Sequence, residues 1–209
     1  MKPTSNNTIR PILIGITGGI GSGKSYICHQ LEQTGHHVFY CDDVAKQIIR
    51  TQADVKRELT TLVGPDVYDA AGQLVKSVLA AYLCRGTDYS HRIDQIVHPR
   101  VAAAFKQQAA LLRPSTPTTL ECDEKVINLQ LLQQLPTDGV LFMECALLFE
   151  SGFDQLVDKS IVVHVSQETQ LKRLIGRDHI SREKALRWIS LQLAEDVKVD
   201  RADYVINNE

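Results

Sequence analysis

Ile12-Leu13-Ile14-Gly15-Ile16-Thr17-Gly18-Gly19-Ile20-Gly21-Ser22-Gly23-Lys24-Ser25-Tyr26-Ile27-Cys28-His29-Gln30-Leu31 is the stretch from which the rest of the chain is read. Residues 12 to 16 are apolar and mostly β-branched, the pattern of a buried strand. Gly18 to Ser25 fit the phosphate-binding template G-x-x-x-x-G-K-[ST]. Tyr26 to Leu31 continue as a helix that reaches about Thr34, where Gly35 suits a C′ position. Strand, glycine loop and helix in that order are the context the motif requires. Backbone N–H groups must wrap an anion with no Cβ in the way, which Gly18, Gly21 and Gly23 permit. The helix that starts near Gly23 adds its positive dipole end. Gly19, Ile20, Gly21, Ser22, Gly23, Lys24, Ser25 and Tyr26 are therefore the expected ATP-binding run. Lys24 would reach the β- and γ-phosphates, and the Ser25 hydroxyl would ligate Mg²⁺.

Outward from the loop, helices and strands alternate. Val38-Phe39-Tyr40 reads as a short second strand, followed by helices over about Val44–Arg50 and Asp54–Val63 and a break at Gly64-Pro65. Val75 to Leu112 is helical almost throughout, with Pro99 starting or kinking one helix. Residues 113 to 119 carry Pro, Ser and Thr and read as a loop, and Asp123 to Leu135 as one more helix ended by Pro136. Val140–Met143 and Ser160–Val165 are apolar runs expected to form central parallel strands buried on both faces. Helices over about Gln167–Gly176 and Ser181–Glu195 follow, and the chain closes on a strand at Tyr204–Ile206. The sum is a three-layer α/β fold with a central parallel sheet. Residues 1–65 and 138–209 would form the nucleotide-binding core, and 66–137 a helical insertion.

The 209 residues suffice for a proper core, with ordinary hydrophobic (44%) and charged (23%) fractions. A net charge of −2 gives no electrostatic footprint for nucleic acid. No apolar run approaches the roughly 20 residues of a membrane helix. The polar stretch Met1 to Asn7 lacks the apolar segment of a secretory leader, so a cytoplasmic location is expected. The five cysteines include no C-x-x-C pair and are odd in number, as expected for reduced, buried thiols. The seven histidines form no recognisable zinc pattern.

The absence of an N-K-x-D sequence argues against a guanine-reading switch protein. A small-molecule kinase or a nucleotide-binding module without chemistry remains. Five segments decide further: Ile14–Ser25, Val38–Ala45, Ile93–Pro99, Ala146–Glu150 and Ala202–Asn208. The chain resembles the dephospho-CoA kinase family, whose corresponding patterns are TGGIGSGK[ST], V-I-D-A-D-x-I-A, L-x-x-I-x-H-P, P-L-L-F-E and A-D-x-V-I-x-N. The resemblance covers nearly the whole chain in the expected order. It implies transfer of the ATP γ-phosphoryl group to the 3′-hydroxyl of dephospho-CoA, the last step of CoA synthesis. It also implies a substrate-binding role for the helical insertion and a small lid near 177–188. Dephospho-CoA and ATP would be the only partners, with no nucleic acid or membrane, and the enzyme would be a monomer or weak homo-oligomer.

Individual roles follow from chemistry and resemblance together. A ribose hydroxyl needs a proton acceptor, and Asp42, after the second strand, is the candidate base and acceptor contact. Asp43 is the alternative, and capping of the next helix is the plain structural role for Asp42. Arg177, with Arg173 one turn earlier, would bring a further cation to the transferring group; a solvated basic face is the other reading. Glu144, ending a strand, suits a carboxylate that holds Mg²⁺ through water. His98 and Pro99 would help bind dephospho-CoA by resemblance, although the residues alone favour a helix start with a capping histidine. Gln192 could be structural or binding. The chain departs from the family at Tyr40, Val75, Ala146 and Trp188, and 113–137 is longer than usual. These departures cluster on the acceptor side, so a related nucleoside or nucleotide kinase, or a non-catalytic nucleotide-binding protein, stays open.

Overall fold

The computed structural model describes residues 9–209; the polar stretch 1–7, read above for a leader, lies outside them. The chain divides into two compact units. One comprises the chain up to Phe39 with Gln108–Glu209, the other Tyr40–Gln107. The sequence placed these boundaries at 65/66 and 137/138.

The first unit is built on a five-stranded sheet in the order β2-β3-β1-β4-β5. Its strands are β1 (Ile12–Thr17), β2 (His37–Tyr40), β3 (Val140–Glu144), β4 (Lys159–His164) and β5 (Tyr204–Asn207). β1 pairs in parallel with β3, from Ile12 opposite Val140 to Ile16 opposite Glu144, and with β4; β4 pairs in parallel with β5. Every residue of β3 is buried. Each large side chain there contributes roughly 1.5–3 kcal/mol by leaving water, which is why these strands read as continuous apolar runs. Ser160 donates to the Asp203 carboxylate through its N–H (2.8 Å) and hydroxyl (2.7 Å), locking the start of β5 to β4. Helix α1 (Lys24–Gln33) leaves the loop after β1. It ends as expected: Gly35 takes φ +89° and donates to Glu32, and His36 donates to Leu31, the paired bonds of a Schellman turn.

The second unit is helical: α2 (Cys41–Thr51), α3 (Ala53–Val63), α4 (Lys76–Leu83) and α5 (Thr87–Leu111). α2 begins at once after β2, three residues before the expected start. Pro99 neither starts nor interrupts α5 but lies inside it. The ring removes one helical N–H, and the adjacent Arg100 guanidinium donates to the Ile96 carbonyl at 2.6 Å. The same guanidinium reaches Asp54 at 2.8 Å, tying α5 to α3.

Back in the sheet unit, the helix expected at 123–135 shrinks to α6 (Leu129–Gln133), capped by Asn128. Residues 125–127 run beside β5 instead. Ile127 donates to Val205 (2.9 Å) and Val205 to Lys125 (2.8 Å). Leu120 is buried, its carbonyl accepting from the Tyr204 hydroxyl. An open sheet edge offers unpaired backbone groups, and here they outcompete local helix propensity. That is why 108–137 belongs to the sheet unit.

The last helices are α7 (Gln167–Asp178), α8 (Arg182–Ser190) and α9 (Glu195–Arg201). α7 runs past Gly176 and stops at His179, which adopts the left-handed conformation (φ 51°). The single helix expected from Ser181 to Glu195 is two, with a turn at 191–194 between them. No helix among the described residues is long and apolar enough to cross a membrane.

Candidate active site

The loop from Gly18 to Gly23 leaves the carboxyl end of β1, the end at which open α/β sheets bind ligands. Gly18, Gly21 and Gly23 have φ of 148°, 82° and 93°. Two of these glycines are also sterically required. A Cβ on Gly18 would run into the Val163 carbonyl oxygen, and one on Gly23 into the Asn208 side-chain amide. Gly23 is the N-cap of α1, so the N-terminal end of that helix adjoins the loop. Lys24 is buried and donates through Nζ to the Gly18 carbonyl at 2.8 Å. Ser25 and Tyr26 are exposed on the first turn of α1.

The loop is held from outside by residues the motif does not contain. Gln192 Oε1 accepts from the Ile20 N–H at 2.8 Å. Arg173 donates to the carbonyls of Ser22 (3.2 Å), Gly21 (3.4 Å) and Asn208 (2.7 Å). The Asn208 amide donates to Ser22 at 2.8 Å. The Ile20 side chain packs against Leu171, Leu174 and Ala185 of α7 and α8. The sequence left Gln192 open between a structural and a binding role and gave Asn208 no role of its own. The signal for Asn208 lies in the closing A-D-x-V-I-x-N pattern, which gives a residue type without a partner. Arg173 proves to be a clamp on the loop backbone. Arg177 is exposed and paired with its neighbour Asp178 at 2.8 Å.

Glu144 is buried at the carboxyl end of β3, opposite Ile16. Burial, then the Glu144 carboxylate, push the Cys28 thiol far up, while Lys24 pulls it down. Lys24, Glu144 and Cys28 thus share one neighbourhood, and burial there disfavours the Cys28 thiolate. Ser25 and Glu144 supply a hydroxyl and a carboxylate, the sparse oxygen set suited to a Mg²⁺ ion carried mostly by water and phosphate. Cys28, Cys41 and Cys145 are buried free thiols, as expected, but Cys84 is exposed. Behind Gly19 lies a charged cluster. Lys198 is fully buried and, among the described residues, Nζ has no hydrogen-bond partner; burial lowers its pKa, and Glu150 and Glu195 oppose that.

The remaining candidates belong to the helical unit. Asp42 is exposed in the first turn of α2; the N-cap position is Tyr40, so Asp42 is not the cap. Asp43 is paired with Lys46 at 2.9 Å. His98 faces Asp94 one turn earlier on α5 (3.4 Å), and Pro99 is exposed beside it.

Comparison with known proteins identifies the family. The dephospho-CoA kinase family model matches residues 12–122 and 125–209. A dephospho-CoA kinase of Bacteroides fragilis is 34% identical over 95% of this chain and 85% of its own length. One from Fusobacterium nucleatum is 32% identical over 94% and 89%. Among solved structures, TT1252 from Thermus thermophilus superposes with a TM-score of 0.72 at 27% identity, covering 96% of this chain and 90% of that one. Dephospho-CoA kinase from Campylobacter jejuni shares the fold (TM-score 0.53, 19% identity, coverage 94% and 88%). With a glycine loop built for phosphate and a family match over almost its whole length, the chain belongs to the dephospho-CoA kinase family.

Proposed function

We infer that the protein transfers the γ-phosphoryl group of ATP to the 3′-hydroxyl of dephospho-CoA, giving CoA and ADP. The observation that carries this is the Gly18–Ser25 loop with Lys24 at the end of β1, within a chain matched by the family from β1 to its C-terminus. In the reaction a bond forms between the acceptor oxygen and the γ-phosphorus, and the bond from that phosphorus to the β,γ-bridging oxygen breaks. The hydroxyl proton passes to a base, for which Asp42 is proposed. Residues Gly19 to Tyr26 form the site for the ATP phosphates, with Lys24 and backbone N–H groups other than that of Ile20, which Gln192 holds, as donors. Arg177, on a lid formed by about 177–188, brings a further cation once its exposed guanidinium exchanges Asp178 for phosphate. His98 and Pro99 contribute to the acceptor site. Ser25, and Glu144 through a water, would hold Mg²⁺, which would supply positive charge to the phosphates. We take the enzyme to be cytoplasmic and a monomer or weak homo-oligomer, with no nucleic-acid or membrane partner.

The test is ADP release from Mg-ATP with and without dephospho-CoA, with the product identified by mass. Acceptor-dependent ADP and a gain of one phosphate on the acceptor are expected. Lys24→Ala should lower kcat by roughly 10²–10³-fold with the fold retained. Asp42→Asn should lower kcat while ATP affinity holds. ATP binding without stimulation by dephospho-CoA would reject this acceptor. The departures at Tyr40, Val75, Ala146 and Trp188 would then direct the search to other nucleosides and nucleotides.

A further inference from the structure

We propose that Gln192 is a positioning residue that ties the helix pair α7–α8 to the third residue of the phosphate loop. The proposal rests on that loop being the ATP site. Two independent contacts meet at Ile20. Its side chain enters the apolar seam of α7 and α8 formed by Leu171, Leu174 and Ala185. Its N–H donates to Gln192 Oε1 at 2.8 Å.

Gln192 lies in the turn between α8 and α9, and this turn is fastened on both sides. Leu193 donates to Glu150 Oε1 at 2.9 Å. Glu195 and Gln170 close on Gly19: a Cβ there would stand 3.0 Å from Glu195 Oε2 and would collide with the Gln170 amide. Further along, α8 is less firmly seated. A cleft of about 690 Å³ is lined by His164, Ser166 and Gln170 on one side and Leu186, Ile189 and Gln192 on the other. Ala185 and Ile189 pack α8 against α7, and the Ile20 side chain and the Gln192 bond couple that pair to the loop. The consequence is mechanical. A phosphate cradle works only when its N–H groups are aimed before the anion arrives. The Ile20 N–H is taken up by Gln192, and holding it orients the next residues, Gly21 to Lys24. A displacement of α8 moves Gln192 and with it the loop.

The experiment compares Gln192→Met, which keeps shape and loses the acceptor, with Gln192→Glu, which keeps an acceptor oxygen, both in the full chain. Three quantities are read: amide exchange at Ile20, ATP affinity by calorimetry, and kcat and KM for each substrate. In Gln192→Met we expect Ile20 exchange to quicken, and kcat/KM for ATP to fall about tenfold, as for loss of one buried hydrogen bond. KM for dephospho-CoA should stay within about twofold, because the perturbed interaction belongs to ATP. Gln192→Glu should recover most of the ATP loss and the slow Ile20 exchange. Wild-type ATP affinity in Gln192→Met would overturn the proposal. So would equal losses in both variants and for both substrates with a lowered melting temperature, the mark of a merely structural residue. Should Gln192→Met fail to fold, Ile20 exchange and ATP affinity in Gln192→Glu decide alone, wild-type values supporting the proposal and a loss rejecting it. Calorimetry with ATP needs no acceptor, so a wrong assignment of dephospho-CoA would leave this result standing.

Discussion

At the scale of single residues, the phosphate loop shows why a motif prescribes glycine where it does. Gly23 combines a left-handed backbone (φ 93°) with a neighbour, the Asn208 amide, that fills the space a Cβ would need. Gly64 has a positive φ of 127° as well but nothing within 4 Å of a built Cβ. Gly23→Ala and Gly64→Ala should therefore both lose stability, by about 1–3 kcal/mol for a strained backbone. Only Gly23→Ala should also weaken ATP binding. Urea unfolding with ATP titration separates the two effects, and unimpaired ATP affinity in Gly23→Ala would show that the Asn208 contact is dispensable. The glycines, Lys24 and Ser25 were legible because the template fixes residue type and spacing. The roles of Arg173, Asn208 and Gln192 were not. Each acts through a bond to a backbone carbonyl or N–H far away in the chain, and no periodicity encodes such a pairing.

At the scale of elements, strands were read well because burial on both faces leaves a continuous apolar run. Helix ends were read well where a cap has its own chemistry, as at Gly35. They were misread at 181–195, where a turn is held by tertiary bonds from Gln192 and Leu193. The entry to β4 offers a pH-dependent check. Asp158 accepts from Arg10 twice at 2.7 Å and from the Leu13 N–H at 2.8 Å, pinning the start of β1 to β4. The Arg10 hydrogen bond holds the Asp158 carboxyl below its usual range, with burial opposing. A depressed carboxyl contributes stability that is complete above its ordinary titration near about pH 4 and is lost as pH falls through the lowered value. Asp158→Asn should thus be less stable than wild type at neutral pH, and the difference should close on acidification below about pH 4. Urea midpoints measured from neutral to acid pH follow this; a gap that widens on acidification would contradict the sign.

At the scale of the whole molecule, the division into two units departs from the sequence reading because chain order and packing disagree. Residues 108–137 look like the tail of a helical insertion, yet Leu120 is buried and 125–127 extend the sheet at β5. Leu120→Ala should cost about 2–5 kcal/mol, as a core leucine does. The loss should appear as a lower urea midpoint of the sheet unit, and an unchanged midpoint would mean that this segment adds nothing to the core. Residues 125–127 have, on this account, a structural purpose: they pair with a sheet edge that would otherwise invite pairing with another chain.

What the sequence determined by itself is what local chemistry can specify. The loop needs glycines at particular backbone angles, the central strands need apolar residues throughout, and a helix end needs its capping glycine. These gave the α/β class, the phosphate site and the resemblance that the family match confirms. Tertiary structure alone decided that 125–127 lies along β5, that Pro99 sits inside one long helix, and that Gln192, Arg173 and Asn208 brace the loop. Those outcomes depend on which backbone groups remain unpaired once the core has formed. Long-range packing settles that competition, and it leaves no local mark in the order of the residues.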